Sequence, residues 1–307
     1  MDVAVPRLAS GGDVVRSVSG PAGADDETMG AVTVTLSGVS RPLAGPGVGY
    51  AVEPPAVVYT QSLQVLDLAA TQLSGTPGVD ASGDFYDVFP IEIPGRGHEA
   101  AENALWWWVV MGDVCGKGMA AASVAASVRH AAHTVASDAL DASAGGPVAP
   151  DPALLLHQLH DILMVRTGRR FVTAVAAVLR PDGHGGLVGR LASAGHEPAL
   201  IRRIGGAVEV VSAGGMLLGL VPRQPAPAVE VRIGAGEVMV VFTDGVTDAR
   251  PGPGGECFGL ERLTDALATS SGQPVRAAVD VVTTSAMAYR KGFLGDDLAI
   301  LAVSPSA

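Results

Sequence analysis

The chain has 307 residues, 48 % of them apolar and 17 % charged, with a formal net charge of −11. That is enough apolar material for a large core and too little charge for a wholly disordered polymer. The acidic excess excludes nucleic acid and anionic membrane as natural partners, since both require Lys and Arg against phosphate. It suits a protein that concentrates carboxylates, as a hard-cation site does.

The length fits one large domain or two small ones. Forty Gly and 21 Pro imply many tight turns. Two cysteines far apart, Cys115 and Cys257, cannot build a thiolate zinc site. The opening MDVAVPRLASGG has neither the basic start nor the apolar core of a signal peptide. The longest apolar runs, such as LWWWVVM and AVAAVL, fall far short of the roughly 18 residues of a membrane span. The cytoplasm is the default compartment.

In chain order, residues 1–58 are rich in Gly, Ala and Pro and predict a partly disordered arm, with AVTVTL at 31–36 as one short strand. From 59 to 307 the text predicts a folded domain. Strands are expected at 63–73, 85–93 and 105–113. An alanine-rich helix follows over 117–139. A second helix spans 151–166, with Asp151 as N-cap and Pro152 at the first helical position. Four further strands lie within 171–213, separated by the turns PDGHGG, AGHEP and GG. GEVMVVFTDGVTDA (236–249) runs an apolar strand into Asp244. Helices over 258–270 and 275–291 precede a last strand, GDDLAILAV, at 295–303. Hairpins dominate and strict strand–helix alternation is absent, which predicts an α+β domain of antiparallel sheets covered by helices.

Asp84 in ASGDFYDV, Asp113 in MGDVCGKG, Asp244 in VFTDGVTD and the pair Asp296–Asp297 in LGDDLAIL share one setting: an apolar strand and a glycine close by. One Asp-Gly at a strand end is ordinarily a turn. The device recurs four times, and crowded carboxylates would repel and raise one another's pKa unless a cation neutralised them. Magnesium and manganese prefer such oxygen ligands. Several neighbours have bland readings beside functional ones. Lys117 is either solvated or a phosphate contact, and His196 is either structural or near substrate. Asp87 and Asp248 read as hydrogen-bonding or capping residues. Trp106, Trp107 and Trp108 should alternate between the two faces of a strand.

SGDFYD, GDVCGKGMAAA, FVTAVAAVL, ASAGHEPALI, MLLGLVP, FTDGVTDAR, FGLERL and GDDLAIL occur in this order. Together they resemble the motif series of the PPM-type (type 2C) metal-dependent serine/threonine phosphatases, in the bacterial SpoIIE/RsbU branch, over about residues 63–303. The resemblance implies an αββα sandwich of two antiparallel sheets flanked by helices. It implies a protein phosphatase that uses two Mn²⁺ or Mg²⁺ ions, whose shared hydroxide attacks phosphoserine or phosphothreonine in line. The implied partner is a phosphorylated STAS-domain protein, an anti-sigma-factor antagonist. Asp113 resembles the ligand that bridges both ions. The Val114 carbonyl and Asp84 resemble ligands of the second, and Asp244 and Asp296 those of the first, with Asp297 as the alternative to Asp296.

Two positions depart from the family pattern: Cys115 stands where Ser is usual, and Ala299 where Thr is usual. The arm does not resemble the PAS, GAF or receiver modules that often precede such domains; an upstream regulator or a homodimer partner is a further candidate partner. A catalytically silent relative that sequesters a STAS-domain regulator is the competing reading, and the retained carboxylates weigh against it. An aspartyl-phosphate mechanism requires D-x-D, whereas Asp244 is followed by Gly, Val and Thr.

Overall fold

The computed structural model describes residues 59–63, 65–75, 82–93, 104–141, 150–166, 170–220, 227–293 and 295–306. The predicted arm (1–58) and its strand at 31–36 lie outside the described residues.

Eleven strands and five helices follow one another as β1 (Tyr59–Leu63), β2 (Leu66–Leu73), β3 (Asp84–Ile93), β4 (Ala104–Val114), α1 (Met119–Asp141), α2 (Pro152–Arg166), β5 (Val172–Pro181), β6 (Leu187–Ala194), β7 (Ala199–Arg202), β8 (Val208–Val211), β9 (Ala228–Ile233), β10 (Val238–Phe242), α3 (Asp244–Thr247), α4 (Gly259–Ala268), α5 (Val275–Arg290) and β11 (Leu298–Pro305). They form a six-stranded sheet, β1-β2-β11-β10-β7-β8, and a five-stranded sheet, β3-β4-β5-β6-β9. Neighbouring strands are antiparallel throughout.

Strand periodicity divides the apolar residues into three layers. Leu66 and Leu301 of the six-stranded sheet meet Tyr86, Trp107 and Met111 of the five-stranded sheet in a shared core. The opposite face of the five-stranded sheet packs Phe89, Trp108 and Val178 against α1 and α2. The opposite face of the other sheet packs Val240 and Ile300 against α4 and α5. The expected αββα sandwich is therefore the observed fold. The tryptophan run alternates as strand geometry requires: Trp107 enters the inter-sheet core, while Trp106 and Trp108 belong to the helix-covered side. At the start of α2, Asp151 Oδ1 accepts the Ala153 N–H at 3.0 Å, the capping contact its position predicts.

One boundary differs from expectation. The single strand predicted from residue 63 divides between β1 and β2, with Leu63 paired to Leu66, so a tight hairpin replaces continuous strand. Among the described residues, no helix is long and apolar enough to cross a membrane.

Candidate metal centre

Antiparallel register sets the first half of the site. Asp84 opens β3 and lies directly opposite Asp113, the penultimate residue of β4. Both share the strand face of Tyr86, Val88, Val109 and Met111, so their carboxyls point between the sheets. The backbones are pressed together here: Val114 N–H donates to the Gly83 carbonyl at 3.2 Å. A Cβ at Gly83 would lie 2.8 Å from the Val114 carbonyl oxygen and 3.0 Å from Asp113 Oδ1, which is why the residue before Asp84 has no side chain.

The other sheet supplies the second half. Asp244 begins α3 two residues after β10 ends, and Asp296 and Asp297 immediately precede β11. Because β10 and β11 are paired, these loops emerge side by side. A Cβ at Gly245 would overlap the Asp297 carbonyl, so this glycine also permits a close crossing. Buried Arg290 at the end of α5 donates from Nη2 to the Gly245 carbonyl (2.9 Å) and the Asp296 carbonyl (3.0 Å), holding both loops.

Electrostatics shows that the five aspartates sense one another. Burial and the Asp113 charge hold the Asp84 carboxyl well above the usual range, while a Thr243 hydrogen bond pulls it down. Asp113 is pushed up to about 6 by burial and by Asp244, with smaller contributions from Asp296 and Asp297, partly offset by a hydrogen bond with Asp84. Partial burial and Asp296 raise Asp244.

The two sites at the chain's end differ in their engagements. Asp297 Oδ1 accepts the Gly75 N–H at 2.8 Å and the Ser74 hydroxyl at 3.3 Å, so it ties the end of β2 to the loop. Asp296 is exposed and pairs with Lys117 Nζ at 3.0 Å. Among the described residues, no three Asp, Glu, His or Cys side chains close around a common point as a finished coordination shell.

His196 sits at the same end but turns inward. Its Nδ1 lies 3.0 Å from the hydroxyl of Thr173, the residue opposite Asp113 on β5. Burial pushes its pKa down to about 4, so the ring is neutral near pH 7. Its neighbour Glu197 carries no sequence signal, yet burial raises its carboxyl, and it accepts the Thr247 hydroxyl at 3.2 Å beside Asp244. Arg170 and Phe171 fix the turn after Asp113: Arg170 Nη1 donates to the Cys115 carbonyl at 2.9 Å, and Cys115 N–H donates to the Phe171 carbonyl at 3.0 Å.

The family model for Stage II sporulation protein E (SpoIIE) matches residues 106–305. The chain belongs to the SpoIIE family. Protein IcfG of Synechocystis sp. is 26 % identical over 258 residues, covering 77 % of this chain and 38 % of IcfG. This SpoIIE-family chain therefore spans well under half of that curated relative. The PP2C phosphatase domain of SpoIIE from Bacillus subtilis superposes with a TM-score of 0.61 at 15 % identity, covering 81 % of this chain and 70 % of that one. The RsbU and RsbW domains of Rv1364c from Mycobacterium tuberculosis give 0.58 at 21 %, covering 82 % and 62 %. The αββα sandwich is thus the PP2C fold, shared at sequence identities too low to carry more than architecture.

Proposed function

We propose that the chain is a metal-dependent phosphoserine/phosphothreonine protein phosphatase whose substrate is a phosphorylated STAS-domain regulator. The observation that carries this reading is that Asp84 and Asp113, opposite each other on β3 and β4, sense the charges of Asp244, Asp296 and Asp297 from the other sheet. Burial and mutual repulsion raise the carboxyls of Asp84, Asp113 and Asp244. An all-oxygen carboxylate set with the Val114 carbonyl beside it fits Mg²⁺ or Mn²⁺ and not a soft metal. When bound, two such ions supply Lewis acidity toward phosphoryl oxygens and an activated water as nucleophile.

The protein's part is placement. Asp113, central among the acids, would bridge both ions. Asp84 and the Val114 carbonyl would serve one, and Asp244 and Asp296 the other. Asp296 is favoured over Asp297 because Asp297 Oδ1 is already held by Ser74 and Gly75. Lys117, exposed and paired with Asp296, would receive a substrate phosphate at the rim. His196 lines the same end from within. Membership of the SpoIIE family is what supports the choice of a STAS-domain substrate in this proposal.

Hydrolysis of p-nitrophenyl phosphate should require added Mn²⁺ and fall to background in Asp113→Asn. A phosphorylated STAS-domain protein should be dephosphorylated under the same conditions. Metal-independent turnover, or a trapped phospho-enzyme, would overturn the mechanism. A STAS-domain phosphoprotein left intact by an enzyme active on p-nitrophenyl phosphate would overturn the substrate assignment.

A further inference from the structure

We propose that Thr243 is a positioning residue that sets which oxygen of Asp84 is offered to a divalent cation, an inference that rests on the phosphatase reading above. Thr243 follows β10, immediately before Asp244, and is fully buried at 0 % exposure. The Ala299 N–H donates to its hydroxyl oxygen at 2.9 Å. The hydroxyl hydrogen is thereby directed elsewhere, and Asp84 Oδ2 receives it at 2.8 Å. A buried threonine ordinarily satisfies its hydroxyl on nearby backbone. This one reaches a carboxylate 159 residues away in sequence and on the opposite sheet.

The rest of Asp84 is fixed with equal care. Gln72 of β2 donates from Nε2 to the Asp84 carbonyl at 2.8 Å, a second bond from the six-stranded sheet. The Ser82 hydroxyl accepts the Asp84 N–H at 3.0 Å. Backbone and Oδ2 are therefore held, and the carboxyl's other partner is Asp113, a contact that a cation or its water would replace. Small divalent ions demand near-octahedral, oriented oxygen ligands, so a carboxylate held in one rotation serves them better than one free to turn. Sequence alone marks Thr243 only as a strand terminus.

The test is calorimetric titration of the metal-free protein with Mn²⁺, comparing the parent with Thr243→Val, Thr243→Ala and Thr243→Ser. The parent should bind two ions. The Val and Ala variants should lose about 10- to 100-fold in affinity at one step, the effect usual for loss of a ligand's hydrogen-bond partner, and keep the other step. Ser, which retains the hydroxyl, should restore binding to within about threefold, a small share of that loss. Excess Mn²⁺ should bring turnover of the Val variant back toward the parent, which a purely structural lesion would not allow. Melting curves of the metal-free variants identify any that fail to fold, and Ala guards against a clash specific to Val. Unchanged binding in Val and Ala, or equal weakening of both steps without rescue by Ser, overturns the assignment alone. A parent that takes up no Mn²⁺ overturns the phosphatase reading and this inference with it.

Discussion

Asp84 and Asp87 stand three residues apart in the same strand, both almost wholly buried, and the protein treats them oppositely. The odd spacing sends them to different faces. Asp87 lies under α1, where His133 Nε2 approaches its Oδ2 at 2.9 Å and Arg129 Nε at 3.8 Å. Its Oδ1 accepts the Val88 N–H at 2.9 Å, and the Phe89 ring stacks on His133 with centroids 3.8 Å apart. Every demand of that carboxylate is met from within the fold. Asp84 faces more carboxylates, and what surrounds it raises its pKa. A buried acid supplied with its own side-chain partners is architecture; one left among its own kind is an invitation to an external cation.

That contrast can be broken in four ways. The largest effect is expected from Asp113→Asn, which should abolish Mn²⁺-dependent turnover while raising the melting temperature of the metal-free protein, because one repelling charge is removed. Asp87→Ala should do the reverse. Loss of its paired, buried carboxylate should cost about 2–3 kcal/mol of stability in urea melts, and turnover per folded molecule should persist.

A pH series sharpens the first of these. Asp113 has a higher pKa folded, about 6, than unfolded, near 3.8. The folded state therefore binds this proton more tightly. Its stabilising contribution is complete below pH 4 and is lost as pH rises through 6. His196 runs the other way: its ring titrates near 4 when folded and near 6.5 when free, so folding loses stability as pH falls through that window. The difference between Asp113→Asn and the parent cancels the histidine. The melting advantage of the variant should be small at pH 4 and grow to about 1–2 kcal/mol by pH 7, after discount for partial exposure. Saturating Mn²⁺ should erase or invert it. The smallest effect belongs to Lys117→Met. Freeing Asp296 from an exposed ion pair, worth under about 1 kcal/mol, should tighten Mn²⁺ binding about two- to fivefold. The KM for a phosphoprotein should rise at the same time.

The order of strands and helices was legible because it is written in local periodicity, and the aspartates stood out as candidates because each is flanked by a strand and a glycine. The choice between Asp296 and Asp297 was not legible, since adjacent residues share every sequence signal and differ only in what lies opposite. Ser74 and Gly75, more than two hundred positions away, bear on that choice. Thr243 and Gln72 were invisible for the same reason: a hydroxyl or amide declares its role only through a partner on another sheet. Arg202 is the clearest case. Within the strand PALIRRI nothing in the sequence singles it out, yet Arg202 is 1 % exposed and donates to the Ser270 and Gln273 carbonyls, fastening the α4–α5 turn.

β11 lies in the middle of its sheet, between β2 and β10, although it follows every other described strand in sequence. Until residues 298–305 emerge from the ribosome, the sheet is two halves with exposed edges, and Asp244 has no neighbour in Asp296. Assembly must therefore wait on pairings of long sequence separation, which slows folding. A polypeptide interrupted before that strand would keep Asp84 opposite Asp113 but lack the strand that brings residues 296 and 297 beside Asp244, so the carboxylates of the second sheet would stay unassembled.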